Sequence, residues 1–561
     1  MTDPKSTPEA SSAAAPAAEK TEKKAKKPGW ISGWIPPSLI LVIGCFLLIW
    51  LQFFFQPLRG QAIINLATVV VVGLSLIELA VWFCFLSRFS RKTVVIVMLA
   101  LIFSGVGFAS SVQRVEFDGD MNANFIYRWE KEPELQTTQG EVTQEGEQVF
   151  EIQPTDMSQY RGSHTDGIIP GPALNRDWTA KPPRELWRTD IGAGYASMAI
   201  VGDSLITIEQ RGDKEAVTCY VASTGKLKWA YEYPARFYEA MGGLGPRTTP
   251  TVAEQKVYVS GAAGDIVCLD FWTGKKIWHR NLLADLGIPN VTWGNSSSPV
   301  LHGSMLIVNP GGAVGNGLMA LNKDTGETDW EGEGIFQYGP ENPQNYAGYS
   351  TPIIATVDGV EQIVMFDGHG LSGHQPDNGK LLWHFGYLNE AGVNSAQPII
   401  LEDGQRIFIS ASYGQGSSLV KVTHTPAAEG DSAEQGTWQL EELWHDARLL
   451  RSKYASAIFF EDHIYGLDEG IMMCIEPVEG KKLWKAGRYG HGQMLFSDGC
   501  LIILAEDGKL HLVEPNPTEF RPITEMTVLP NTSRVWNPPA LSRGIVYVRD
   551  HQSMAAFDLN Q

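Results

Sequence analysis

One phrase constrains this chain more than any other: a turn glycine followed four residues later by tryptophan. It stands in GDIVCLDFWTGKKIW, Gly264 to Trp278, as Gly274/Trp278, and recurs at Gly225/Trp229, Gly326/Trp330, Gly379/Trp383 and Gly480/Trp484, with weaker copies ending at Trp444 and Trp187. Asp265 to Asp270 is mostly apolar, bulky and too short for a helix, which reads as a buried strand. Asp270 and Thr273 can bond the turn backbone, Gly274 can take the left-handed conformation, and Lys275 to Trp278 return as a second strand. One such hairpin is marginal in water, so its copies must cover one another. Successive tryptophans from Trp187 to Trp484 stand 40 to 61 residues apart, close to the spacing of four-stranded propeller blades.

A second phrase interleaves with the first: a small residue, often proline, then an apolar strand, a turn and another apolar strand. It is clear in TTPTVAEQKVYVSG, SSPVLHGSMLIVN, STPIIATVDGVEQIVMF and AQPIILEDGQRIFIS. Looser copies are YASMAIVGDSLITI, YASAIFFEDHIYGL, GQMLFSDGCLIILA and PPALSRGIVYVRD. Eight copies predict an all-β, eight-bladed propeller over residues 159–561. The tail YVRDHQSMAAFDLNQ supplies three strands of the last blade, and ELWRTDI supplies the fourth. That closure leaves no open sheet edge. Trp187, Trp229, Trp278, Trp330, Trp383, Trp444 and Trp484 are then structural, docking between blades.

The pattern Leu-Asp-x-x-Thr-Gly-Lys-x-x-Trp, with the lead-in YRGSHTDG at Tyr160–Gly167, resembles the PQQ-type propeller repeats of quinoprotein alcohol and glucose dehydrogenases and of the non-enzymatic assembly lipoprotein BamB. Ala222 and Asn322 depart from the usual aspartate, and blades five and seven break the turn with THTPAAEGDSAEQGTW and EPNPTEFRPI. The resemblance implies one of two functions. The first is a non-catalytic platform for a protein or ligand. The alternative is a dehydrogenase using PQQ with Ca²⁺ and passing electrons to membrane quinone. Such an enzyme needs a quinone held over a tryptophan, a cation bound by carboxylate and amide oxygens, and an aspartate base. The sequence has no Cys-Cys pair and no long insertions that build such a site. Asp265, Asp367, Glu469 and Asp507 stand where turn bonding alone would place them. The platform is therefore the expectation, with no catalytic residue, metal ligand or cofactor assigned.

Residues 1–28 are Ala/Pro/Ser/Lys-rich and read as a disordered cytoplasmic tail. A membrane domain, residues 29–112, follows, with three apolar runs at about 39–55, 62–86 and 94–112, each near the ~20 residues of a membrane span. The lysines of the tail and the loop SRFSRK carry the positive charge. By the positive-inside rule both stay cytoplasmic, which puts the propeller in the periplasm of a bacterial inner membrane. Glu78 inside the second run is costly in lipid unless paired or protonated. Residues 113–158 read as an acidic extracytoplasmic spacer, with one small ordered patch at FIYRWE. A net charge of −19 excludes nucleic acid as a partner, since nothing would neutralise phosphates. That leaves the bilayer and an envelope protein or small ligand.

Innermost strands line a propeller's channel, so residues just before them ring one mouth. Reading back from each second phrase gives Tyr195, Arg247, Asn295, Tyr349, Asn394, Tyr454, His491 and Trp536 as candidate ligand- or partner-binding residues. Trp293, Tyr346, Arg451, Lys453, Arg488, Tyr489, Arg534 and Asn537 are their neighbours. Aromatics, amides and cations together suit a polar ligand or a peptide segment. Cys219, Cys268 and Cys474 share one slot of three different blades, which reads as a small buried position rather than a disulfide framework.

Overall fold

The computed structural model describes residues 35–55, 61–130, 135–136, 150–310, 317–332, 346–389, 391–427, 436–530, 532 and 534–560. The tail 1–28 and the acidic run TTQGEVTQEGEQ lie outside the described residues. The chain divides into two compact units, residues 1–54 with 68–105, and residues 55–67 with 106–561.

Three apolar helices occur near the N-terminus: α1 (Ile35–Phe53), α2 (Gln61–Val81), which continues through one π turn at Trp82–Leu86, and α3 (Arg91–Ser111). Gln61–Leu86, with 26 residues, and Arg91–Ser111, with 21, are long and apolar enough to cross a membrane. The apolar helix Pro37–Phe53 is shorter. Two of the three expected spans are thus long and apolar enough to cross a membrane, and the first coincides with the apolar helix α1. Glu78 is exposed on α2, and Ser75 lies against Gly44 of α1.

The second unit holds eight four-stranded antiparallel sheets. Blades 1 to 7 span residues 199–234, 251–281, 300–331, 353–386, 399–446, 458–488 and 493–527. Blade 8 takes three strands from 540–558 and its outer strand from Arg184–Asp190, Trp187 pairing with Ala556. The ring is closed by the two ends of the domain.

The Gly–Trp phrase works between blades rather than within one hairpin. Gly274 of blade 2, at φ +66°, lies flat on the Trp229 ring of blade 1, where an added Cβ would come within 2.5 Å of it. Trp229 in turn donates its indole N–H to the carbonyl of Phe271 in that same turn, at 3.0 Å. Trp187, Trp278, Trp330, Trp444 and Trp484 donate likewise to Ala222, Lys323, Pro376, Pro477 and Asn516 of the following blade. The indole thus buries apolar area and satisfies its only donor together. Blade 5 departs from the pattern. Its third and fourth strands, Gly416–Thr425 and Thr437–Asp446, form one long hairpin, and Trp383 of blade 4 donates instead to Gln362 of its own sheet, at 2.7 Å. Cys219, Cys268 and Cys474 each pair across the ladder with the tryptophan of their own blade. All three are free and fully buried.

Two segments outside the repeats pack against the inner strands and the mouth of the ring. The lead-in 157–169 crosses between blades: Met157 bridges Ile200 of blade 1, Ser158 accepts from Val252 of blade 2, and Ile169 donates to Phe496 of blade 7. Arg161, only 3% exposed, donates to the carbonyls of Ser456, Ala457, Met494 and Asp166. The other segment is a hairpin, β1 (Val112–Phe117) and β2 (Ala123–Tyr127), where the sequence suggested a spacer. The two strands pair antiparallel with a register shift between Val112 and Arg114, and the Asp118 carboxylate closes the turn by accepting from the backbone N–H groups of Asp120 and Asn122. The expected ordered patch falls on β2.

Candidate binding site

The hairpin tip is seated on one side of the mouth. The Gly119 N–H donates to Glu506 Oε1 at 3.0 Å, and the Gly119 carbonyl accepts from Lys453 Nζ. Asp120 meets His491 Nε2 at 3.4 Å. Glu116 pairs with Arg534 at 3.3 Å, both side chains buried. An added Cβ at Gly119 would overlap the His491 ring, so glycine is required for this close approach. Burial alone would raise the Asp120 carboxyl, but the His491 hydrogen bond and the charges of His491, Lys453 and Arg488 outweigh it and hold it low. Glu116 is also held low despite burial. Because burial pushes His551 down to about 3 and keeps it neutral, the charges acting on Glu116 near neutrality are those of Arg114 and Arg534.

Glu506 organises this corner. Besides Gly119 it accepts from the His491 N–H at 3.0 Å and from the Trp536 indole at 2.6 Å. Trp536 then stacks on Tyr195 at 5.2 Å and lies 4.7 Å from Tyr454, centroid to centroid, with the Arg534 guanidinium 4.3 Å above it.

Beneath the tip lies a chamber of about 390 Å³, lined from the hairpin side by Asp118, Gly119 and Met121 and including Tyr160 of the lead-in. Five of the eight expected mouth residues line it: Tyr195, Arg247, Tyr349, Tyr454 and Trp536. The neighbours Trp293 and Lys453 do too. The other three expected residues are elsewhere. Asn295 accepts from the Ser297 N–H and lines a separate water-sized gap. Asn394 is fully buried and donates to the carbonyls of Asp367 and Tyr387. His491 stands under the hairpin, outside the chamber lining. Both amides hold loops, as amides so placed commonly do. Tyr160, Tyr413 and Glu506 were not foreseen. Tyr160 comes from a non-repeat segment, Tyr413 precedes no innermost strand, and Glu506 adjoins Asp507, which reads as an ordinary turn acid.

The chamber is cationic and aromatic. Arg247 donates to the carbonyls of Trp293 and Gly245 and lies 4.8 Å from the Phe237 ring and 5.4 Å from Tyr195. Its Nε has no partner, and burial pushes the group down to about 10. The Tyr195 hydroxyl, on a residue 5% exposed, also lacks a partner. Burial pushes the Tyr349 phenol up to about 12. A Ca²⁺ ion with a quinone would need several carboxylate or amide oxygens here. Asp118 is the carboxylate in the lining, and its oxygens are used by the turn. Among the described residues, no three His, Cys, Asp or Glu side chains come together as a metal-holding group. The residues present do not fit that pair.

An eight-bladed ring with tryptophan docking between blades defines a PQQ-type β-propeller. The chain belongs to the family described as outer membrane protein assembly factor BamB, whose model matches residues 179–333 and 245–486, more than half of the sequence. Quinoprotein alcohol dehydrogenase PedH of Pseudomonas putida is 24% identical over 158 residues, 26% of this chain and 25% of that protein. The chain thus matches about a quarter of the length of that curated relative. Similar solved structures include BamB from Moraxella catarrhalis, with 13% identity, a TM-score of 0.46 and coverage of 67% of this chain and 99% of that one. A europium-containing methanol dehydrogenase has 13% identity, a TM-score of 0.41 and coverage of 71% and 90%.

Proposed function

We propose that this protein is a membrane-anchored, extracytoplasmic binding platform whose working surface is the mouth of the ring. Three N-terminal crossings, the first by the short helix, would leave the lysine-rich tail in the cytoplasm and the propeller in the periplasm. One observation carries the reading: the mouth already binds a polypeptide turn, through Glu506, Lys453, His491 and Arg534. A surface that grips a backbone N–H, a carbonyl and two carboxylates is built for polypeptide. Arg247, Tyr349 and Trp536 add the arginine and aromatic anchors on which such surfaces depend.

The second reading, a quinoprotein dehydrogenase, is favoured by the partial match to PedH and opposed by the donor set of the chamber. Titrating the full-length protein in lipid nanodiscs with PQQ and excess Ca²⁺, then assaying dye reduction over alcohols and aldoses, separates the two. The platform predicts no stoichiometric uptake, together with an envelope protein whose crosslinking is lost in Arg247→Ala, Tyr349→Ala and Trp536→Ala. Uptake with substrate-dependent dye reduction would replace it with the enzyme.

A further inference from the structure

The hairpin fills the mouth unevenly. Its polar contacts fall on Lys453, His491, Glu506 and Arg534, on Tyr238, whose hydroxyl donates to the Val115 carbonyl, and on Asn65 of α2, whose amide donates to the Asp120 carbonyl and to Asn122 Oδ1. Across the chamber, Trp293, Tyr349 and Tyr413 face open space. Arg247 sits there without a carboxylate partner among the described residues, and the Tyr195 hydroxyl is unbonded. A buried phenol without a partner is costly to leave unmet, and a guanidinium with no carboxylate within ion-pair distance can still take one. The groups that hold the tip recognise features any chain can present: one N–H, one carbonyl, a carboxylate and a glycine too small to strike His491. The mouth is therefore larger than the turn seated in it.

We infer that the β1–β2 hairpin is an exchangeable, self-supplied occupant, and that the mouth receives from a partner polypeptide an acidic Asp-Gly-Asp-type turn with a further carboxylate that reaches Arg247. This rests on the platform reading and specifies its partner. The incoming glycine takes the place of Gly119 against His491. Its amide donates to Glu506, its carbonyl accepts from Lys453, and the following carboxylate meets His491. The additional carboxylate pairs with Arg247, which the resident hairpin leaves unmet. The resident hairpin acts as a competitor at high effective concentration because it is tethered, so only a partner making that extra contact displaces it.

The test uses the full chain in nanodiscs and, as probe, a fluorescent cyclised peptide of residues 112–127. In Gly119→Val the new side chain meets His491 and the tip must leave; in a second variant residues 118–122 are replaced by Asn-Gly, which shortens the tip without altering the propeller. Both opened chains should bind the probe at least about tenfold more tightly than wild type, a difference of ~1.4 kcal/mol. Adding Lys453→Ala and Arg534→Ala to either should abolish the gain. A probe carrying Asp118→Asn and Asp120→Asn should bind weakly, and one extended by a glutamate should gain affinity that Arg247→Ala removes. If neither opened chain binds the probe better than wild type, or the neutral probe binds equally well, the hairpin is a fixed strut and the inference fails. The platform reading survives that result if partner crosslinking still depends on Arg247, Tyr349 and Trp536. PQQ uptake with dye reduction would end both.

Discussion

The two faces of the ring are built by opposite means. On the face where the third and fourth strands of each blade turn, most blades repeat one solution: a glycine lies on the preceding blade's tryptophan, whose indole donates to the same turn. On the mouth face the equivalent position changes from blade to blade among tyrosine, arginine, asparagine, histidine and tryptophan. Blade 1 is preceded by Tyr195, blade 2 by Arg247, blade 7 by His491, and segments outside the repeats supply Tyr160 and the hairpin tip. Packing repeats because each blade meets the same neighbour. Recognition does not repeat, because a ligand off the symmetry axis meets each blade differently. Stability should therefore be lost most steeply on the first face, and binding on the second.

The largest effect belongs to the docking face. Trp278 is 8% exposed, contacts the Gly326 turn and donates to Lys323. Trp278→Ala should cost ~3–5 kcal/mol, read as a marked fall in thermal unfolding temperature, while Asn295→Ala on the mouth face costs far less. Equal losses would erase the distinction between the faces.

The docking face was also the legible one. A glycine and a tryptophan four residues apart, repeated, left few alternatives to stacked blades, and ELWRTDI was recognisable as the closing strand. What the phrase did not reveal is that its glycine serves the preceding blade's tryptophan rather than its own. The mouth was half legible. Position before an innermost strand located Tyr195, Arg247, Tyr349, Tyr454 and Trp536 in the chamber, but the same rule selected Asn295 and Asn394, whose amides are used by their own loops. The hairpin was hidden because its partners are almost 400 positions away: Gly119 meets Glu506, and no local pattern in VQRVEFDGD announces that. The three N-terminal helices were legible from composition alone, as apolar runs that coincide with α1, α2 and α3.

Arg161 should rank second, since it joins the lead-in to blades 6 and 7. Arg161→Met keeps much of the apolar stem but leaves up to four carbonyls without this donor, where each unmet buried group costs ~1–3 kcal/mol before relaxation or water. A loss of about 3 kcal/mol in chemical denaturation is expected. A loss under ~1 kcal/mol would mean that the lead-in does not hold the ring together.

Glu506→Gln separates the faces more finely. Gly119 and Trp536 share Oε1 while the His491 N–H uses Oε2, so the amide keeps one set and its NH₂ faces a donor at the other. Docking of the hairpin should weaken by roughly 1–2 kcal/mol, as for a lost charged hydrogen bond, while global unfolding stays within ~1 kcal/mol. A bimane probe on Met121→Cys, quenched by Trp536 when the tip is seated, would report the release. Unchanged quenching would remove Glu506 from its role at this corner.

The smallest effect is a dependence on acid confined to the mouth. Asp120 and Glu116 are both held below their ordinary values when the tip is docked. A carboxyl lowered on docking contributes stability above its undocked value, near 4. That contribution falls away as pH drops through the lowered docked value. The tip should therefore be fully seated from neutral pH down to about 5 and loosen progressively below about 4. Asp120 is partly solvated, which screens its share to about 1 kcal/mol. Asp120→Asn should shift the quenching toward the released state at pH 7 and flatten its acid response, leaving only the part due to Glu116. Glu215 provides the opposing control on another part of the ring. Burial raises it to about 7, so its contribution is present below about 4 and is lost as pH rises through 7. The two signals run in opposite directions with pH. If bimane release and global unfolding instead follow one curve, hairpin and ring are a single cooperative unit and the comparison between the faces breaks down.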